Sequence, residues 1–243
     1  VEEVTPERYR RRLRIAGRIG EVTVSPGLEV VIEGELAPDV VITRVRHVFG
    51  LDIDLAPIHA HLMRDPILAP LIQARPGLRP TGGWDGFELA IRAVLGQQIT
   101  IGSARALGGQ LAALASDTCC FPTQAEVLAA DLDALGMPGA RRATLRAVAA
   151  ADPAVFRPGR DLDTEIAQLC AIRGIGPWSA HYIALRALRQ PDAFPASDVA
   201  LLRCMTRLDG TPKNPKALIA RAAPWRPFRA FAAQHVWAVD VGG

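Results

Sequence analysis

The segment IRGIGPWSAHYIAL, residues 172–185, places two glycines around Ile175 and follows them with Pro177 and Trp178. Apolar residues at helical spacing precede it (Leu162, Ile166, Leu169, Ile172) and follow it (Trp178, Tyr182, Leu185), so two helices meet at Gly174–Ile175–Gly176. Glycines let the chain turn sharply and approach another surface closely. Pro177 suits a first helical turn, where its missing N–H has no partner to lose. The free N–H groups of the turn and the positive end of the second helix then form an anion site, and phosphate is the natural guest. Twenty residues after Trp178 stands Asp198, ahead of an apolar helix carrying Val199, Leu202 and Met205. A carboxylate there can cap the helix, with Ser197 as the other candidate. It can also serve chemistry in a cleft, and the two roles are compatible.

A Gly-x-Gly alone is more often an ordinary tight turn between core helices. Helix, Gly-Ile-Gly, proline and helix together are more specific. They form the pattern of a helix-hairpin-helix, here at about 163–190, which grips a DNA backbone without reading bases.

These residues need a frame. With 243 residues and 49% hydrophobic content the chain is globular and long enough for a sizeable core, and its Ala and Leu richness favours helices. The net charge of +3 is weak, yet only Lys213 and Lys216 among the 28 basic residues are lysines. Arginine forks suit phosphate oxygens, and a compositional bias explains the same excess. Cys119, Cys120, Cys170 and Cys204 fit no zinc or iron–sulfur spacing and are expected to be reduced, buried thiols in a cytoplasmic protein. No signal peptide or membrane-length apolar run is present.

YRRRLRI, GEVTVS and LEVVIEGE read as short strands joined by turns at Gly17 and Ser25–Gly27. After Pro38, Val41, Val45 and Val48 share one helical face with Asp39 as the expected cap, and short helices follow near 57–64 and 66–74. The Pro/Gly-rich ARPGLRPTGGW marks a boundary. The expected fold is α+β: a small N-terminal antiparallel sheet with helices over residues 1–78, then a predominantly helical region over 79–243. The arginines of Arg8–Arg14 read as a solvated edge strand that resists aggregation, with DNA contact the lesser alternative.

The Gly-Ile-Gly-x-Trp hairpin, the Pro-rich loop and the Asp twenty residues after the Trp resemble the HhH-GPD superfamily of DNA glycosylases, and within it the AlkA type of 3-methyladenine DNA glycosylase. FELAIRAVLGQQIT, FPTQAEVL, LGMPGARRATLRAVA and PWRPFRAFAAQHVW extend the likeness over roughly residues 5–240. The resemblance implies two helical subdomains flanking a cleft, Asp198 as the catalytic aspartate, and Trp178, Tyr182 and Trp237 around a base pocket. It places the loop that wedges into the DNA stack at Gly96, Gln97, Gln98 and Ile99, with a glutamine at Gln98 where the best-known member has leucine. Gly174, Ile175 and Gly176 would contact backbone, and the carbonyls of Cys170, Ile172 and Ile175 would hold a structural monovalent cation. No catalytic cofactor and no iron–sulfur cluster are implied.

The implied reaction suits one carboxylate. An N3- or N7-alkylated purine is cationic and departs neutral, so the sugar needs an opposing negative charge and a placed water rather than a strong acid. The flipped base would rest on aromatic rings, each good cation–π contact being worth about 0.5–2 kcal/mol. Bifunctional relatives carry a nucleophilic lysine about one helix before the Asp, and WSAHYIALRALRQ has none. The expectation is therefore a monofunctional base-excision enzyme that leaves an abasic site in alkylated double-stranded DNA. It would work as a monomer in the bacterial cytoplasm, at the nucleoid and away from membranes. Relatives fused behind a methyl-accepting repair domain exist, and the absence of an initial Met is compatible with a longer chain. The alternative is a non-catalytic helix-hairpin-helix DNA-binding module. Of the five histidines, His59 and His61 lie two apart on a helix and point away from each other, which disfavours a metal site.

Overall fold

The computed structural model describes residues 2–240. Four strands, β1 (Glu2–Val4), β2 (Tyr9–Ile15), β3 (Arg18–Val24) and β4 (Val30–Gly34), form one antiparallel sheet in sequential order. The register sets Arg11 opposite Val22 and Val22 opposite Ile32. Alternation buries Leu13, Val22 and Val24 on one face, where α1 (Pro38–Phe49) covers them with Val41, Val45 and Val48. Asp39 lies in the first turn of α1 but does not cap it; Ala37 is the cap residue, because Pro38 takes the first helical position.

β1 is three residues long and carries no alternation a sequence reader could use. Its presence makes β2 an interior strand, so Arg8–Arg14 is not the edge that its charge implied. Most of these arginines instead pair within the chain. Arg10 pairs with Glu21, Arg14 reaches Glu126, Ser116 and Thr118, and Arg11 is buried against Glu88.

Helices α2 (Ala56–Leu62), α3 (Leu68–Ala74), α4 (Gly86–Leu95), α5 (Ile101–Ala115), α6 (Gln124–Ala129) and α7 (Gly139–Ala150) follow. Then come α8 (Leu162–Cys170), α9 (Pro177–Arg186), α10 (Val199–Asp209), α11 (Pro215–Arg221) and α12 (Arg229–Asp240). Ile58, Leu62, Leu68 and Ile72 of α2 and α3 belong to the large helical core, while Trp84 joins the small core under the sheet. The division between the cores thus does not coincide with the expected boundary at 78/79. Trp84 stacks on Tyr9 and donates its indole N–H to the phenol oxygen at 2.6 Å.

α4 connects the two cores. Asp85 caps it by accepting from the Glu88 N–H at 3.0 Å, and Ala90, Ile91, Val94 and Leu95 are fully buried. Its ten residues span about 15 Å, from the sheet at one end to a cleft at the other. Cys120 and Cys204 are buried as expected, whereas Cys170 is half-buried and Cys119 is exposed at positive φ. Among the described residues no helix is long and apolar enough to cross a membrane.

Candidate active site

Asp198 is the N-cap of α10, its Oδ1 accepting the Leu201 N–H at 3.0 Å. The same oxygen accepts the Trp237 indole N–H at 2.9 Å, and Oδ2 accepts that of Trp178 at 3.1 Å. The capping carboxylate therefore also lines the cleft. Three donors from α9, α10 and α12 satisfy its charged form and fix its orientation. The donors exist because α9 starts at Pro177, which puts Trp178 in its first turn, and because α12 packs against α10.

The aromatic residues lie together, and two of them also hydrogen-bond Asp198. Trp178 lies 5.4 Å from Tyr182 with the rings nearly parallel, and Trp178 and Trp237 both grip Asp198. These residues line a cleft of about 550 Å³. Ile99, Thr100, Ile101 and Ala104 form the facing wall. Three guanidiniums also line it: Arg92, Arg105 and Arg186. Arg186 sits over the Tyr182 ring at 5.8 Å and the Trp237 ring at 5.3 Å. It also donates to the Thr81 carbonyl at 3.2 Å and the Thr81 hydroxyl at 3.0 Å. The sequence reading missed these arginines. Arg186 falls one turn after Tyr182, on the same helix face, and that spacing was the available signal. Arg92 had no such signal, since its partners Glu2 and Glu88 include one from the far end of the chain.

The hairpin has the expected form. Gly174 adopts φ +87°, and a Cβ there would lie 1.9 Å from Thr144 Oγ1 of α7, so the turn packs against α7 with no room for a side chain. At Gly176 the same construction meets nothing within 4 Å. Gly176 is the N-cap of α9 with no side-chain cap, which leaves first-turn N–H groups facing outward. Ile172 and Ile175 are buried, so Ile175 offers a partner only its backbone. The Ile172 carbonyl accepts the Ile175 N–H at 3.0 Å. Among the described residues the carbonyls of Cys170 and Ile175 accept no backbone hydrogen bond outside the helices.

On the opposite rim Gly96 ends α4, Gln98 is exposed at φ 58°, and Ile99 faces the cleft. Gln97 differs from its expected role. Its amide turns inward and donates to the Gly174 carbonyl at 3.3 Å and to Ser179 Oγ at 3.1 Å, while Arg141 holds its carbonyl at 2.7 Å. It braces one rim to the other and does not project toward a ligand. The histidines lie elsewhere: His59 stands 6.2 Å from buried His235, and His61 contacts the Pro224 carbonyl at 3.0 Å.

Comparison with known proteins supplies the context. The AlkA N-terminal domain family matches residues 1–85. A Mycobacterium tuberculosis protein described as a probable bifunctional transcriptional activator/DNA repair enzyme AlkA is 35% identical over 97% of this chain, which spans about half (51%) of that relative's length. The structure superposes with a TM-score of 0.85 on a 3-methyladenine DNA-glycosylase from Archaeoglobus fulgidus, covering 99% of this chain and 89% of that one at 22% identity, which establishes the shared fold. The Escherichia coli K12 protein DNA-3-methyladenine glycosylase 2 is 31% identical over 98% of this chain and 87% of its own length, so this chain belongs to the AlkA family of DNA-3-methyladenine glycosylases.

Proposed function

We propose that this protein flips alkylated purines of the 3-methyladenine and 7-methylguanine class out of double-stranded DNA and hydrolyses their N-glycosidic bond, leaving an abasic site. The observation that carries this reading is Asp198, oriented at a cleft by three N–H donors. Its negative charge opposes the positive charge that grows on the sugar as the bond breaks, and the remaining lone pair on Oδ2 directs a water toward C1′. A cationic base departs neutral and needs no acid. Among the described residues the cleft walls offer one carboxylate and three guanidiniums and no amine nucleophile, which supports hydrolysis without strand cleavage.

The first-turn N–H groups beside Gly176 bind backbone phosphates on this reading, and Gln98 fills the gap left by the flipped base. The Cys170, Ile172 and Ile175 carbonyls fit a monovalent cation, which would add positive charge where the phosphate sits. On this reading the protein acts as a monomer.

A panel of alkylated, deaminated and oxidised duplexes, scored for base release, tests the proposal. Wild type should release 3-methyladenine and 7-methylguanine. Asp198→Asn should bind DNA as well but release bases more slowly by a factor on the order of 10³. Binding without release by wild type would make the protein a backbone-gripping module without chemistry.

A further inference from the structure

The cleft holds a cation of its own where a cationic base is expected to rest. Its three arginines are not equivalent. Arg92 is neutralised by Glu2 at 3.2 Å and Glu88 at 2.7 Å. Arg105 is exposed at the rim. Arg186 is half-buried, forms no salt bridge among the described residues, and lies over the Tyr182 and Trp237 rings. Its Nη1 is tethered to Thr81, while its Nε and Nη2 donate no hydrogen bond among the described residues. A fixed, unneutralised guanidinium with unused donors therefore occupies the aromatic side of the pocket.

Resting on the glycosylase reading, we propose that Arg186 sets the charge preference of the base site and extends it to uncharged purines bearing a ring or exocyclic acceptor. The reason lies in where the electrons go. In hydrolysis the water oxygen bonds to C1′, the C1′–N bond breaks, and its electron pair leaves with the base. A cationic base becomes neutral, and the water's proton passes to solvent. An uncharged base takes on negative charge until it receives that proton. A guanidinium beside the rings stabilises this developing charge by donating to an O6 or N7 acceptor. The same charge opposes a cationic base, because it repels it and already engages two of the rings. Arg186 thus narrows the gap between the two classes: it sacrifices affinity for the cation and lowers the barrier for the uncharged base.

Single-turnover release from two duplexes tests this, one containing 7-methylguanine (cationic) and one hypoxanthine (uncharged, with an O6 acceptor). Arg186→Gln should slow hypoxanthine release by roughly tenfold and speed 7-methylguanine release, so that the two rates move in opposite directions. Arg186→Lys, which keeps the charge and loses the fork, should fall between. Thr81→Val, which frees one tether, should shift the ratio in the same direction by less. A purely structural Arg186 would depress both substrates together. An equal loss on both, or a larger loss on 7-methylguanine, overturns the proposal. Wild type that releases 7-methylguanine but no hypoxanthine overturns it too, while leaving the glycosylase reading intact. Wild type that releases neither removes the reading on which it rests.

Discussion

On one rim of the cleft the α8–α9 turn is supported from below. Ile172 and Ile175 are buried, and Gly174 lies where any side chain would strike Thr144. On the other rim, residues 96–100 carry exposed Gln98 at positive φ, and Ile101 just beyond is 79% exposed. Gln97 and Arg141 hold this rim to the first. The contrast fits the two tasks proposed for these rims. A surface that grips a uniform backbone gains from being built before DNA arrives, since no ordering cost is then left for binding. A surface that enters a base stack must meet varied geometry, and low local packing gives it that freedom.

Breaking the packed rim should have the largest effect. Gly174→Val combines a disfavoured backbone with overpacking against Thr144 and should cost about 3 kcal/mol or more, read as a shift in denaturant midpoint. An unchanged midpoint would mean that the rim is not packed as described.

Acid should act on the packing of α12. His235 lies on α12, two residues before Trp237, and burial together with neighbouring His59 pushes its pKa down to about 4. The unfolded chain takes up a proton near pH 6.5 and the folded one only near 4. Stability is therefore full above about 6.5 and declines as the pH falls toward 4, by on the order of 2 kcal/mol. Melting curves across that window should flatten in His235→Gln.

Gly176→Val is the counterpart of Gly174→Val, because a Cβ there meets open space. The midpoint should stay within about 0.5 kcal/mol of wild type. Affinity should drop about tenfold for damaged and undamaged duplexes alike, through lost close approach to phosphate. Loss confined to damaged DNA would move the hairpin's role from backbone to base. Gln97→Ala should have the smallest effect, slowing base release about threefold by loosening the brace while leaving duplex affinity nearly unchanged.

Local pattern made part of this molecule readable. Strands β2 to β4, the Val41–Val45–Val48 face and the hairpin all follow from spacing between neighbours in the chain. Asp198 was readable as a cap candidate, and resemblance gave it a catalytic role. Its indole partners needed more, since which Trp atom faces a carboxylate depends on helices packed from distant segments. Long-range pairing was the general blind spot. Arg11 looked like surface charge until Glu88 was placed beside it, and Gln97 looked like a DNA contact until Gly174 was. Asp39 failed for a local reason, because Pro38 had already fixed where α1 begins.

The Glu2–Arg11–Glu88–Arg92 network has a consequence for modularity. Glu2 and Arg11 belong to the sheet, Glu88 and Arg92 to α4, and Arg92 lines the cleft. A helical half transplanted without its sheet would keep Asp198 and every aromatic ring of the cleft. It would also lose half the countercharge around α4, leaving Glu88 without its buried partner and Arg92 without Glu2 at the cleft wall. The sheet and the chemistry are thus not interchangeable parts: swapping sheets between relatives would retune a reaction whose named residues all lie elsewhere.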